Sequence, residues 1–289
     1  MLTQGWHQVE LDGVTQAYEV AGQGPVVFLH SGGPGIDSDP FMRMPLLERH
    51  MTMVYLDPIG SGKSGLLPGG DYSVAEYARR VELLRDHLGV TDGFLIGHSH
   101  GGFVVLQYAL DYPGRMRGLV VYDGAPFYAV GKSEDSKRQV ASFAERWPDR
   151  PEAIAAVDAL GRQSVHDAAS YLDWLGAILP LYFADYRKTL RELGALPALR
   201  ISKYDPERKA SEWDVRGQLG VVDAPVLVLV GAYDFITPPF WARQMHAEMP
   251  NSRLVEFPDS GHFLHLEEPD RFLESVHDFV IEVNQSQES

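Results

Sequence analysis

The sequence predicts an α/β architecture, a mostly parallel sheet with helices on both faces. Three observations predict it: short apolar runs that alternate with helical patterns, a two-strand hairpin signal at the start, and one long helical interruption of that rhythm. In open sheets of this kind the crossover helices cover both faces, so the strands read as continuous apolar runs.

Taken in order, His7–Leu11 and Gln16–Val20 alternate around Asp12-Gly13, which reads as a hairpin of antiparallel strands at one sheet edge. Apolar runs bounded by Gly, Pro and Asp then read as buried strands at Val26–Leu29, Met53–Leu56, Gly93–Ile96, Leu119–Tyr122, Val226–Val230 and Arg253–Phe257. Between them, Val74–His87, Gly101–Asp111, Pro239–Glu248 and Pro269–Val283 carry apolar residues at spacings of three and four, the signature of one helical face. From Pro126 to about Arg216 the strand rhythm stops, and helix formers, aromatics and charges take over. An insertion after the sixth strand would sit over the carboxyl ends of the strands, where open α/β sheets bind ligands. No composition break, repeat or linker divides the rest, so 1–125 and 217–289 are expected to form one core and 126–216 a cap, or lid.

Composition narrows the function. A formal charge of −15 argues against a nucleic-acid partner, which would need clustered Lys and Arg to displace counterions. The absence of cysteine excludes disulfides, thiolate metal sites and thiol nucleophiles. The start lacks a basic region followed by an apolar one, and the longest apolar runs are far too short to span a bilayer. The expectation is a cytoplasmic protein with no membrane partner; nothing in the sequence sets the oligomeric state.

The strongest local signal is Gly97-His98-Ser99-His100-Gly101, lying between the apolar run Phe94-Leu95-Ile96 and the helical run Phe103-Val104-Val105-Leu106. A G-x-S-x-G turn between strand and helix holds a serine hydroxyl exposed at a helix N-terminus, and the flanking glycines let neighbouring elements approach. There the helix dipole and the His100 N–H can stabilise an oxyanion. A serine nucleophile needs a base, and the base an orienting carboxylate, in the chain order acid then His. Asp234 ends the strand-and-turn Val226–Asp234, and His262 follows the next strand through Asp259-Ser260-Gly261. Singly, each is explained as a helix-capping Asp and a surface His; together at strand ends, in the required order, they read as a catalytic triad. His265 is read as secondary, and His98 and His100 as pocket-lining.

The second oxyanion donor is expected from the loop after Val26–Leu29, His30-Ser31-Gly32-Gly33-Pro34-Gly35, with Gly33 the first choice and Gly32 next. Gly60-Ser61-Gly62-Lys63-Ser64 ends like a phosphate-binding loop, but Asp57 stands where the first glycine of that motif belongs. A strand end and turn beside the site is the simpler reading. No set of His with a carboxylate has convincing metal-ligand spacing, so neither a metal nor another cofactor is expected.

These residues resemble the α/β-hydrolase superfamily, and within it the proline-iminopeptidase-like branch, over almost the whole chain. Ser31-Gly32-Gly33-Pro34-Gly35 is similar to that branch's HGGPG, and Asp57-Pro58-Ile59-Gly60-Ser61-Gly62-Lys63-Ser64 to its DQRGxGxS, alongside Ser99, Asp234 and His262. The resemblance implies an eight-stranded sheet, a helical cap over roughly 126–216, and an acyl-enzyme mechanism. The chain departs from the branch in the extra Ser31, in Pro58-Ile59 for Gln-Arg, and in lacking a tryptophan after the nucleophile.

In the expected mechanism His262 deprotonates Ser99, Ser99 attacks a carbonyl, the N–H groups of Gly33 and His100 hold the oxyanion, and Asp234 steadies the imidazole. The substrate expected first is a small N-terminal aminoacyl peptide or amide, for whose free amine the cap offers Glu145, Asp173 and Asp185. An ester, a lactone or a carbon–carbon bond beside a ketone comes second, and a non-catalytic small-ligand binder third. The rings of Trp147, Tyr171, Trp174, Tyr182, Phe183 and Tyr186 are expected to divide between shaping a pocket and packing the cap's own core.

Overall fold

In the computed structural model, residues 2–287 are described except 34, 39, 129–132 and 210–211. The chain runs β1 (Gly5–Leu11), β2 (Val14–Gly22), β3 (Val26–His30), α1 (Pro45–Glu48), β4 (Thr52–Asp57), α2 (Val74–His87), β5 (Phe94–His98), α3 (His100–Asp111) and β6 (Gly118–Tyr122). After β6 come α4 (Glu134–Arg146), α5 (Pro151–Leu160), α6 (Ala168–Ile178) and α7 (Tyr186–Leu193). The chain then returns through β7 (Val226–Gly231), α8 (Pro239–Glu248), β8 (Ser252–Phe257), α9 (Leu264–Glu267) and α10 (Pro269–Gln287).

One eight-stranded sheet results, in the order β1-β2-β4-β3-β5-β6-β7-β8. β1 and β2 pair antiparallel through Leu11↔Val14, and the two residues between them, Asp12 at φ 50° and Gly13 at φ 74°, both take the left-handed conformation of a two-residue hairpin turn. β2 pairs antiparallel with β4, while the pairings from β4 through β3, β5, β6 and β7 to β8 are parallel.

Alternation along each buried strand feeds two apolar layers. Phe28, Val54, Leu95 and Val121 point to the face covered by α2, α3 and α8. Val27, Met53, Phe94 and Ile96 point to the other face, where α10 contributes Phe272, Val276, Phe279 and Val280. Each such side chain stabilises the fold by about 1.5–3 kcal/mol relative to exposure, an upper figure because unfolded chains already bury some surface. A third cluster joins Phe143 of α4, Ala153 and Ala156 of α5, and Leu175 and Ile178 of α6 to Phe235 and Ile236 just after β7. The helices between β6 and β7 therefore rest on the carboxyl ends of the strands. Local capping defines them: Ser133 and Asp185 each accept an N–H of the first turn of α4 and α7, and Asp167 forms a capping box with Ser170 at α6.

Candidate active site

Ser99 sits between β5 and α3 with φ 54° and ψ −115°, outside the comfortable regions for a residue bearing a Cβ. The turn is over-determined by its neighbours: the Ser99 N–H donates to Tyr122 O at 2.8 Å and the Gly102 N–H to Ser99 O at 2.9 Å. The glycines of the motif are sterically required, since a Cβ on Gly97 would lie 2.0 Å from Gly101 O and one on Gly101 would lie 2.2 Å from His30 O. His100 opens α3, where the first N–H groups have no acceptor within the helix.

His262 and Asp234 come together from the turns after β8 and β7. His262 Nδ1 lies 2.7 Å from Asp234 Oδ2, with both side chains buried. Asp234 also accepts from Ile236 N (2.7 Å) and Thr237 N (3.1 Å) on Oδ1 and from Thr237 Oγ1 (2.7 Å) on Oδ2. Burial pushes its carboxyl up, but the His262 charge and bond together with the Thr237 donors outweigh it and hold the group below the usual range. Against an ionised carboxylate Nδ1 must carry the proton, which leaves the Nε2 lone pair to accept one. A Cβ on Gly231 would lie 1.8 Å from Gly261 O, so the close approach of these two turns depends on glycine.

The other histidines have separate tasks. His98 is buried at the end of β5 and its Nε2 donates to His262 O at 2.9 Å, so it braces the backbone of the histidine loop. Burial and the neighbouring His262 push its basicity well down. Burial likewise lowers His100 to about 3, so its ring is a neutral wall packed edge-on against Tyr77. Both His98 and His100 line the cavity. His265 faces away: its Nδ1 is 2.8 Å from Tyr122 Oη and its Nε2 3.2 Å from Phe41 O, so both ring nitrogens are occupied.

The glycine loop after β3 lies against Ser99. A Cβ on Gly32 would come within 2.7 Å of Ser99 Cβ, while Gly33 takes φ +61° in a turn closed by Ile36 N donating to Gly33 O at 3.1 Å. Pro34 lies outside the described residues. The loop that resembles a phosphate binder is filled from within the protein: Gly62 N donates to Asp37 Oδ1 and Lys63 N to Asp57 Oδ2, each at 2.8 Å. Internal carboxylates satisfy the amides that would otherwise face a phosphate.

Over Ser99 lies a cavity of about 440 Å³. Its floor is Gly32, Gly33, His98, Ser99, His100 and His262; its walls include Phe41, Phe103 and Phe235; and Tyr171, Trp174, Leu175, Ile178 and Tyr182 roof it. No Asp, Glu, Lys or Arg is among the described residues that line it. Of the six cap aromatics, Tyr171, Trp174 and Tyr182 reach the cavity. Phe183 is fully buried in the α10-side core with Tyr186 against it, and Trp147 packs in the cap core and stacks with Arg150. None of the three cap acids reaches it: Glu145 and Asp173 are exposed on the outer surface, and Asp185 caps α7 and pairs with Arg150 at 2.6 Å.

Two buried acids beside the His262 turn escaped the reading of the sequence. Glu267 of α9 accepts from Gly261 N at 2.6 Å and from Ala184 N at 2.8 Å, tying the histidine loop to the chain that follows α6. Asp123, directly after β6, is fully buried at φ 46°. One ligand-type atom from each of His98, Asp123 and His262 lies within 4.8 Å of the others. The available signal was that Asp123, like Asp234, closes a buried strand; Glu267 is masked by the ordinary charge pattern of Leu264-His265-Leu266-Glu267-Glu268.

Residues 25–269 match the alpha/beta hydrolase fold family. The chain belongs to that family. Within it, this α/β hydrolase is 27% identical over 286 residues to the proline iminopeptidase of Saccharolobus solfataricus, across 92% of this chain and 88% of the relative. It is 25% identical over 270 residues to the 2-hydroxy-6-oxo-2,4-heptadienoate hydrolase of Pseudomonas putida, across 92% of each. The fold is shared with the enol-lactonase from Burkholderia xenovorans, with a TM-score of 0.68 at 22% identity over 95% of this chain and all of that one. The α/β hydrolase is thus proline-iminopeptidase-like in sequence, with relatives that also cleave other bonds. Among the described residues no helix is long and apolar enough to cross a membrane.

Proposed function

We propose that the protein is a serine hydrolase that turns over a small, uncharged, largely apolar ester or lactone through an acyl-enzyme. Ser99 is the nucleophile, His262 Nε2 its base, and Asp234 the acid that fixes the imidazole tautomer and stabilises its charge. The N–H groups of His100 and Gly33 receive the oxyanion, and water then attacks the acyl group with His262 again as base. The observation that carries the substrate class is the cavity: no ionised side chain lines its described surface, and it is walled by aromatic and aliphatic groups. A free ammonium entering it would lose water without gaining a carboxylate.

The test compares p-nitrophenyl butyrate and a medium-chain lactone with prolyl p-nitroanilide. Neutral acyl substrates are expected to exceed the aminoacyl anilide in kcat/KM by at least about a hundredfold. A second reading, release of an N-terminal amino acid, has the likeness to the Saccharolobus proline iminopeptidase in its favour and predicts the opposite ranking.

A further inference from the structure

The ends of β6 and β7 bring two carboxyl groups to one histidine. Asp123 N donates to Leu229 O at 2.9 Å, and Gly231 N donates back to Asp123 Oδ1 at 2.9 Å, so the Asp123 side chain is drawn under the turn that carries Asp234. Its other oxygen, Oδ2, is buried with no hydrogen-bond donor. The Asp123 and Asp234 carboxyl groups are hydrogen-bonded neighbours, and His262 and His98 each hold a nitrogen within 4.8 Å of an Asp123 carboxyl oxygen. Two bare acceptors cannot bond to each other, so one must carry a proton.

Counting donors decides which. Asp234 takes four, from Ile236 N, Thr237 N, Thr237 Oγ1 and His262 Nδ1, whereas Asp123 takes the single bond from Gly231 N. Asp234 is therefore the ionised partner and Asp123 the protonated one. Burial first, and the Asp234 charge next, push the Asp123 carboxyl well above its usual range, in agreement with the donor count. The other titratable groups facing Asp123 are Glu267, Tyr122, and the two histidines. Glu267 is raised to about 8 by burial and His98 is held neutral, so no cation besides a protonated His262 is available to ionise Asp123.

We infer that Asp123 is a second acid for His262: it donates its proton to Asp234 in the resting protein and takes over the histidine when Asp234 has no charge. This rests on the triad reading above. In the intact protein Asp123 is a positioning residue, keeping its proton while His262 takes and returns that of Ser99. With Asp234→Asn, the second cause of its neutrality, the Asp234 charge, is gone, and the imidazolium formed at His262 offsets the burial that remains; Asp123 releases its proton to solvent, and its carboxylate pairs with the imidazolium.

The experiment measures kcat/KM for p-nitrophenyl butyrate between pH 5.5 and 9.5 in the wild type, Ser99→Ala, His262→Ala, Asp234→Asn and Asp123→Asn/Asp234→Asn, with melting temperatures. Asp234→Asn is expected to retain at least about tenfold more activity than the double variant, against a loss of about 10⁴ when a triad has no acid at all. Its activity should climb with pH along a limb that the double variant lacks. Equal rates for the two variants at every pH would overturn the inference while leaving the triad intact. Activity surviving in Ser99→Ala or His262→Ala would instead overturn the triad reading. Should Asp234→Asn not fold, Asp123→Leu decides. Loss of the donor makes Asp234 a stronger partner for the imidazolium, so the acid limb of the profile should rise by about half a pH unit, with Asp123→Asn, which keeps a donor, restoring it. A limb that stays in place in Asp123→Leu overturns the inference.

Discussion

The strand ends and the helices above them solve different problems with different materials. Ser99, Asp123, Asp234 and His262 are placed by backbone: interstrand bonds such as Ser99 N to Tyr122 O, and glycines that let turns approach within the space of a missing Cβ. The roof over them is placed by side-chain packing, through Phe143, Leu175 and Ile178 against Phe235 and Ile236. Backbone placement tolerates almost no substitution and sets chemistry. Packing tolerates exchange of similar volumes and sets shape.

The largest expected effect breaks the lower region alone. Ser99→Ala should lower turnover by about a millionfold while leaving the melting temperature within a few degrees, measured with purified protein and an active ester. Retained turnover would remove Ser99 from the chemistry.

Next, the two histidines near the last strand should separate function from packing. His262→Ala is expected to lose activity on the scale of Ser99→Ala. His265→Ala should cost about 1–3 kcal/mol of stability, through a Tyr122 O–H left without its acceptor and a Phe41 carbonyl left without its donor, with kcat/KM within about tenfold of wild type. The reverse pattern would show that the histidines are misassigned.

A smaller effect belongs to the roof. Trp174→Ala and Tyr182→Phe should change the ratio of kcat/KM between short and bulky acyl groups by about tenfold, with labelling of Ser99 by a small sulfonyl fluoride nearly unchanged. If all substrates and labelling decline together, the roof is structural rather than selective.

The smallest effect joins the two regions. Glu267 is raised by burial from 4.5 to about 8, so the folded protein holds its proton where the unfolded chain has released it. Stability from this group is complete below about 4.5 and falls as pH rises to about 8. The melting temperature of the wild type should therefore decline more between pH 5 and 8.5 than that of Glu267→Gln. Parallel slopes would show that the carboxyl does not titrate in this window.

Much of the lower region was legible because its signals are local. The helix Val74–His87 and the Asp12-Gly13 turn stand where periodicity and turn chemistry place them, and the G-x-S-x-G context directs attention to Ser99. The four-residue helices Pro45–Glu48 and Leu264–Glu267 span barely one turn, too short to show a period. The roof was legible only as a helical stretch, since which rings turn inward depends on packing between segments far apart in sequence. The cap acids illustrate this: Asp185 reads as an amine ligand by composition and is a helix cap by geometry. Asp123 was hidden for a related reason, because a strand-ending Asp reveals its neighbour only once β6 and β7 are seen to be adjacent.

The contact between Gly261 and Tyr182 has a consequence for how such an enzyme diversifies. A Cβ on Gly261 would lie 2.3 Å from Tyr182 O, the His262 N–H donates to that same oxygen at 2.7 Å, and Glu267 grips Ala184 beside it. The histidine loop thus uses the inserted segment as its own backbone support. A chimaera that replaces the whole insertion would lose the alignment of His262, the proposed base, together with the old roof, whereas one that keeps the 182–185 stretch and exchanges only what precedes it would keep His262 in place under a new roof. Modularity in this chain has a seam, and the seam lies inside the insertion rather than at its borders.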